Sequence, residues 1–143
     1  MKKFALTLLA AVIGTFLFAQ SKKADEILKF SVSKHNFGKI KQGTPVTYDF
    51  EFTNISGKPV VIESATASCG CTTPTWPQQP IAQGKGNKIK AGFNAAAPGT
   101  FDKTVFVKVA GIDQPLELRI TGEVLSADEF AKYESSKDKK SSK

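Results

Sequence analysis

Hydrophobic and polar positions alternate most strictly from Val46 to Asn54, where Val46, Tyr48, Phe50 and Phe52 are interleaved with Thr47, Asp49, Glu51 and Thr53. A period of two is the mark of a half-buried strand, because successive side chains of an extended chain point to opposite faces. The same rhythm returns at Leu116, Leu118 and Ile120 against Glu117, Arg119 and Thr121, and at Ile89, Ala91 and Phe93 against Lys88, Lys90 and Asn94. Further β-rich runs are Ile27 to Val32, Pro59 to Ala67 and Thr100 to Val109; in the last, Val105, Val107 and Val109 share one face and Phe106 and Lys108 the other. Between these runs lie Gly38, Gly43-Thr44-Pro45, Ser56-Gly57-Lys58-Pro59, Gly84-Lys85-Gly86-Asn87, Pro98-Gly99 and Gly111 to Pro115. Glycine supplies positive φ and proline fixes the entry to a turn, so these clusters read as connections. About seven short strands with no helix between them predict an all-β, Ig-like antiparallel sandwich over residues 27–125. Its bulkiest core candidates are Phe30, Phe37, Phe50, Phe52, Phe93, Phe101 and Phe106.

The ends of the chain carry different patterns. Lys2 and Lys3 precede an almost uninterrupted apolar run from Phe4 to Phe18, followed by Ala19-Gln20-Ser21. This is the arrangement of a secretory signal peptide, and the run falls short of the roughly 20 residues that a membrane-spanning helix needs. Residues 1–19 are therefore expected to be cleaved, leaving no transmembrane segment, with 20–26 a linker and the mature protein exported to the periplasm or beyond. No cysteine lies near the cleavage site to carry a lipid. After the last strand, Ser126-Ala127-Asp128-Glu129 has the spacing of a capping box and predicts a short helix through Phe130 and Tyr133. The rest of 126–143 is rich in Lys and Ser with nothing apolar to bury, and is expected to be disordered.

Removing residues 1–19 leaves 124 residues and lowers the formal charge from +7 to +5. The lysines are scattered, with no basic run interleaved with aromatics, which argues against nucleic acid as a partner. They suit solubility and the blunting of sheet edges. Enzymatic chemistry is not expected either. His35 is the sole histidine, the acids fall on polar strand faces or in turns, and neither a nucleophile elbow nor a phosphate loop occurs.

Distinctive chemistry is confined to Cys69 and Cys71, the only cysteines, in Ser68-Cys69-Gly70-Cys71-Thr72. Two residues of extended chain advance about 6.6 Å, near the roughly 6.8 Å upper limit for the Cα atoms of a disulfide. A flat strand therefore suits a bridge poorly, and Gly70 is expected to bend the segment through backbone angles closed to other residues. Three readings stay open: a local structural disulfide, thiol–disulfide exchange, and a metal held by the two thiolates. A closed zinc site wants four ligands, so the metal reading narrows to Cu(I) or to a site shared between molecules; no other cofactor is expected. Downstream, Thr72, Thr73, Pro74, Trp76 and Pro77 form a proline-rich loop with the only tryptophan. It reads either as a lid on the sandwich or as a recognition loop.

The stretch Val60 to Thr72, with His35-Asn36-Phe37-Gly38-Lys39-Ile40 and Asp49-Phe50-Glu51-Phe52-Thr53-Asn54 before it, resembles a family of exported bacterial proteins of unknown function. That family is similar to the ASH and major-sperm-protein-like branch of Ig-like sandwiches. The resemblance covers about residues 30 to 124. It implies the fold and leaves the activity open, and Gln83 to Lys88 departs from the Pro-Gly-Glu-like turn that members commonly carry. The combined expectation is an exported Ig-like module acting through a protein or cell-envelope partner, with thiol redox or copper handling at Cys69 and Cys71 as the alternative; the oligomeric state is left open.

Overall fold

The computed structural model describes residues 23–141, so the expected signal peptide and its cleavage point lie outside the described residues. The linker expected over 20–26 is partly built into the domain: a single 3₁₀ turn spans Ala24–Glu26, and Ala24 is buried.

Eight strands follow, β1 (Leu28–Phe30), β2 (Lys34–Lys41), β3 (Val46–Asn54), β4 (Ile62–Ala67), β5 (Thr72–Thr75), β6 (Gly86–Phe93), β7 (Gly99–Val109) and β8 (Leu116–Leu125). They form two four-stranded sheets, in the orders β1-β3-β6-β5 and β2-β8-β7-β4. The expected all-β, Ig-like sandwich is thus the observed architecture. One pairing departs from the antiparallel expectation: β2 runs parallel to β8, with Lys34 opposite Arg119 and Lys41 opposite Leu125. A parallel neighbour needs a long crossover, and the chain between β2 and β8 supplies it by building most of both sheets.

The alternating segments bury the faces their sequence assigns. Phe50 and Phe52 of β3, Ile89, Ala91 and Phe93 of β6, Val105, Val107 and Val109 of β7, and Leu118 and Ile120 of β8 interdigitate between the sheets. Phe101 stacks on Phe93 with ring centroids 4.0 Å apart. Phe30 and Phe37 are half-buried against this core, whereas Phe106 is excluded from it. Phe106 is out of phase with its buried neighbours Val105 and Val107 and faces outward, beside Thr66 and Glu117 on the adjoining strands.

Asn54, at the end of β3, is fully buried with its side chain satisfied. Its amide nitrogen donates to the carbonyls of Lys58 and Ile81, both at 2.9 Å, and its oxygen accepts from the Ser56 N–H and hydroxyl. Its backbone also pairs with Gly84 and Lys85, so one residue ties the 55–59 and 81–85 loops to the sheet.

After β8, helix α1 spans Ala127–Ser141. The Ser126 hydroxyl accepts the Glu129 N–H, and the Glu129 carboxylate accepts from the Ser126 N–H and hydroxyl, which completes the expected capping box. The helix runs on through the Lys/Ser segment expected to be disordered. Lys, Glu and Ala propagate a nucleated helix well, and the Ser135 and Ser136 hydroxyls donate back to the carbonyls of Lys132 and Tyr133.

Candidate functional site

The Cys-Gly-Cys segment is the corner at which the chain leaves one sheet and enters the other. β4 ends at Ala67 on the edge of its sheet, and β5 begins at Thr72 on the edge of the opposite sheet. Backbone bonds brace the corner from both sides. The Ser68 N–H donates to Thr104 O at 2.9 Å, and the Thr104 N–H to the Ser68 hydroxyl at 3.2 Å. On the other side the Asn94 N–H donates to Cys71 O at 3.1 Å. The Thr72 N–H donates to Cys69 O at 3.3 Å, closing a four-residue turn over Cys69 to Thr72.

That turn draws the Cα atoms of Cys69 and Cys71 to 5.3 Å apart, and a disulfide joins them. Gly70 does not need the special conformation expected of it. It lies outside the positive-φ region, and a Cβ added there would meet nothing within 4 Å. The bend comes from the Cys69–Thr72 turn, so glycine here is not a backbone requirement. Thr72 is 4% exposed, and its hydroxyl oxygen lies 3.6 Å from the Cys69 sulfur and 4.0 Å from that of Cys71.

The expected loop after the pair is largely a strand. Thr72, Thr73 and Pro74 belong to β5, opposite Phe93, Gly92 and Ala91 of β6. Proline is tolerated because Pro74 occupies a position whose missing N–H faces away from β6. Trp76 and Pro77 are half-buried; Trp76 packs against the core, with its indole N–H enclosed and no acceptor beside it. The chain then returns to Ile81, which exchanges two backbone hydrogen bonds with Val60.

The four sheet edges differ in what they leave open. On β5 the Thr72 N–H is used by the turn and Pro74 has none. On β4 the register with β7 turns the backbone of Ala65 away from the sheet, yet Ala65 is only 4% exposed. On β1 the outward residues are Leu28, 1% exposed, and Phe30, half-buried against the core. β2 is open. Arg119 donates to Ser33 O and Gln42 to Leu125 O, so the backbones of Lys34, Asn36, Lys39 and Lys41 point away from β8, and all four residues are exposed. A bulge between Asn36 and Lys39 interrupts the edge, with Gly38 at φ 68° and its N–H bonded to the Asn36 side chain at 2.8 Å. Lys39 also lies 3.7 Å from the Glu123 carboxylate and 5.3 Å above the Tyr133 ring of α1.

His35, on the same strand, stacks on Tyr48 of β3 with ring centroids 3.6 Å apart and meets the Phe37 ring edge-on at 4.6 Å. This aromatic stack closes the β1/β2 side of the sandwich. Desolvation by these rings holds the imidazole pKa below its ordinary 6.5. The unfolded chain then binds a proton more readily than the folded one, so the stability that neutral His35 contributes is complete above pH 6.5 and is lost as the pH falls through the folded value. Urea midpoints measured from pH 7.5 downward should decline below about pH 6.5, and His35→Phe, which keeps the stack, should flatten that decline.

Among the described residues, no group of three or more His, Cys, Asp or Glu side chains is placed to hold a metal ion. Bridged sulfurs offer no thiolate, so Cu(I) would require the reduced pair.

The conserved-domain model for a protein of unknown function, DUF1573, matches residues 28–124. The chain belongs to the DUF1573 family. No curated protein matches it. Among solved structures it is similar to an ASH/PapD-like domain of human CEP192, with a TM-score of 0.60 and 9% identity over 80% of this chain and 96% of that one. It is also similar to a protein of unknown function from Porphyromonas gingivalis W83 (TM-score 0.58, 12% identity, 72% of this chain, 50% of that one). A third likeness is to the secreted serine protease VesC from Vibrio cholerae (TM-score 0.56, 11% identity, 71% of this chain). The DUF1573 chain spans about a quarter of VesC and half of the Porphyromonas protein. At these identities the likenesses show an Ig-like, PapD-like fold and nothing finer. No helix among the described residues is long and apolar enough to cross a membrane.

Proposed function

We propose that this DUF1573 chain is an exported binding module that receives an extended, acidic segment of a protein or envelope partner along β2. The observation that carries this reading is the contrast among the edges: β1 is covered at Leu28 and β4 at Ile62 and Ala65, β5 lacks donors, and β2 presents outward backbone groups beside three exposed lysines, with the Lys41 carbonyl alone taken by the Thr44 N–H. Lysines on an edge oppose pairing between like copies, since each added strand would bring its own positive charge. They favour a strand with carboxylates at alternate positions, whose main chain would supply affinity and whose acids would supply register. The export signal expected over residues 1–19 supports an envelope or extracellular setting for such a partner.

The test is selection from a library of extended peptides on the immobilised mature protein. Selected peptides should alternate Asp or Glu with β-branched residues. Reversing two charges with Lys34→Glu and Lys41→Glu should weaken their binding roughly tenfold or more, with a loss of salt dependence. Peptides without acidic enrichment, or binding indifferent to both substitutions, would refute the β2 site.

A further inference from the structure

The binding reading leaves the disulfide unused, and the fold does not need it. A loop with a single residue between its cysteines gains little from closure. The corner it spans is already fixed by the Ser68, Thr72, Thr104 and Asn94 hydrogen bonds. Three features point instead to reactivity. The half-buried cysteines flank an exposed glycine that has open space beside its Cα, so the segment between them faces solvent. Its sulfurs are unequal, because Cys71 packs against the core and Cys69 does not. The buried Thr72 hydroxyl has no partner but the two sulfurs and lies closer to that of Cys69.

We propose that Cys69–Cys71 is a thiol–disulfide exchange centre that oxidises dithiols, with Cys69 as the sulfur that is attacked and Thr72 as its positioning residue. A substrate thiolate attacks the Cys69 sulfur, a new S–S bond forms, and the Cys69–Cys71 bond breaks with its electron pair on Cys71, which takes up a proton. The second substrate thiolate attacks the substrate sulfur of this mixed disulfide, and Cys69 leaves as a thiolate that accepts a hydrogen bond from the Thr72 hydroxyl before protonation. Two electrons and two protons pass to the protein, and the substrate becomes a disulfide. In the reverse direction the same Cys69 thiolate is the nucleophile. A donated hydrogen bond favours the charged sulfur, as basic neighbours do in other reactive cysteines.

The experiment follows native reduction of the purified mature protein by dithiothreitol and by a reduced two-cysteine peptide, using acid quench, alkylation and intact mass. Both should open the bridge while the circular dichroism stays folded; a larger rate constant for the peptide assigns a polypeptide dithiol, and a larger one for dithiothreitol a small dithiol. Offered the oxidised, disulfide form of the same peptide, Cys71→Ser should capture it as a mixed disulfide at Cys69: the Cys69 thiolate attacks, one peptide thiolate leaves, and no second protein thiol resolves the bond. Thr72→Val, which keeps the packing volume, should slow exchange roughly tenfold and move the alkylation of reduced Cys69 to higher pH; Thr72→Ser should restore both. The proposal is overturned if the bridge resists both reduced probes until the protein unfolds, if Cys69→Ser captures the oxidised peptide at Cys71 as readily, or if Thr72→Val leaves the rate and pH profile unchanged. Exchange is read with probes that carry no acidic strand, so the centre and the β2 site fail independently.

Discussion

Asn54→Ala should lower the stability of the domain by about 3 kcal/mol, equivalent to a fall in Tm on the order of 10 °C. The amide is fully buried and makes two donations and two acceptances. Truncation takes one of two donors from the Ile81 carbonyl, which keeps the Val60 N–H, and frees the 55–59 loop, while Lys58 and Ser56 recover some solvation. Four hydrogen bonds at about 1 kcal/mol each, less the solvation that the exposed partners recover, give this magnitude. Asn54→Asp should be no milder, because a carboxylate would face the two carbonyls that the amide nitrogen now serves. Urea unfolding monitored by the Trp76 fluorescence measures both. A loss under about 1 kcal/mol for Asn54→Ala would show that the two loops are held by other contacts.

Gly122→Ala should cost about 2–3 kcal/mol through overpacking. A Cβ at that position would fall 2.7 Å from the Phe101 Cζ, 2.8 Å from its Cε1 and 2.9 Å from the Gly38 carbonyl oxygen. Neither neighbour yields easily. The Phe101 ring is held by its stack on Phe93, and Gly38 sits in the β2 bulge at positive φ. Phe101→Leu should recover part of the loss in the double variant, because it opens the space that the methyl needs. Additive effects of the two substitutions would contradict this packing account.

The same two residues show what the sequence displays and what it hides. Alternation exposes β3, β6 and β7 because apolar groups hold unbroken runs of inward positions there, Val46 to Phe52, Ile89 to Phe93 and Val105 to Val109. It breaks down at β8, where Gly122 occupies an inward position with no side chain, so the apolar pattern ends near Thr121 although the strand continues to Leu125. In β2 the inward set is His35, Phe37 and Ile40; the bulge at Gly38 inserts one residue and shifts the phase, which conceals an eight-residue strand. β5 is hidden by Pro74, which reads as a loop residue until its outward-facing position is known. The parallel β2–β8 pair depends on contacts more than 80 residues apart, and no local pattern carries it. Asn54 gives a weak signal, an amide at an inward position of a strict alternation, where a polar side chain must find partners.

The candidate sites divide the same way. Cys69 and Cys71 stand out by type and spacing, but the turn that joins them, the Thr72 hydroxyl beside them and the openness at Gly70 are tertiary facts. The β2 edge could not be chosen from sequence at all, since its accessibility rests on how the other three edges are covered or capped.

The account centres on β2 as the open edge, and residue-resolved hydrogen exchange of the mature protein, free and saturated with a library-selected acidic peptide, tests it most directly. The free protein should exchange the Lys34, Asn36, Lys39 and Lys41 amides quickly, while Ala65 and Leu28, also outward on their strands, exchange slowly under their cover. Bound peptide should protect the β2 amides and little else. Protection confined to the Ala65 or Trp76 region, with the β2 amides unchanged, would contradict the account.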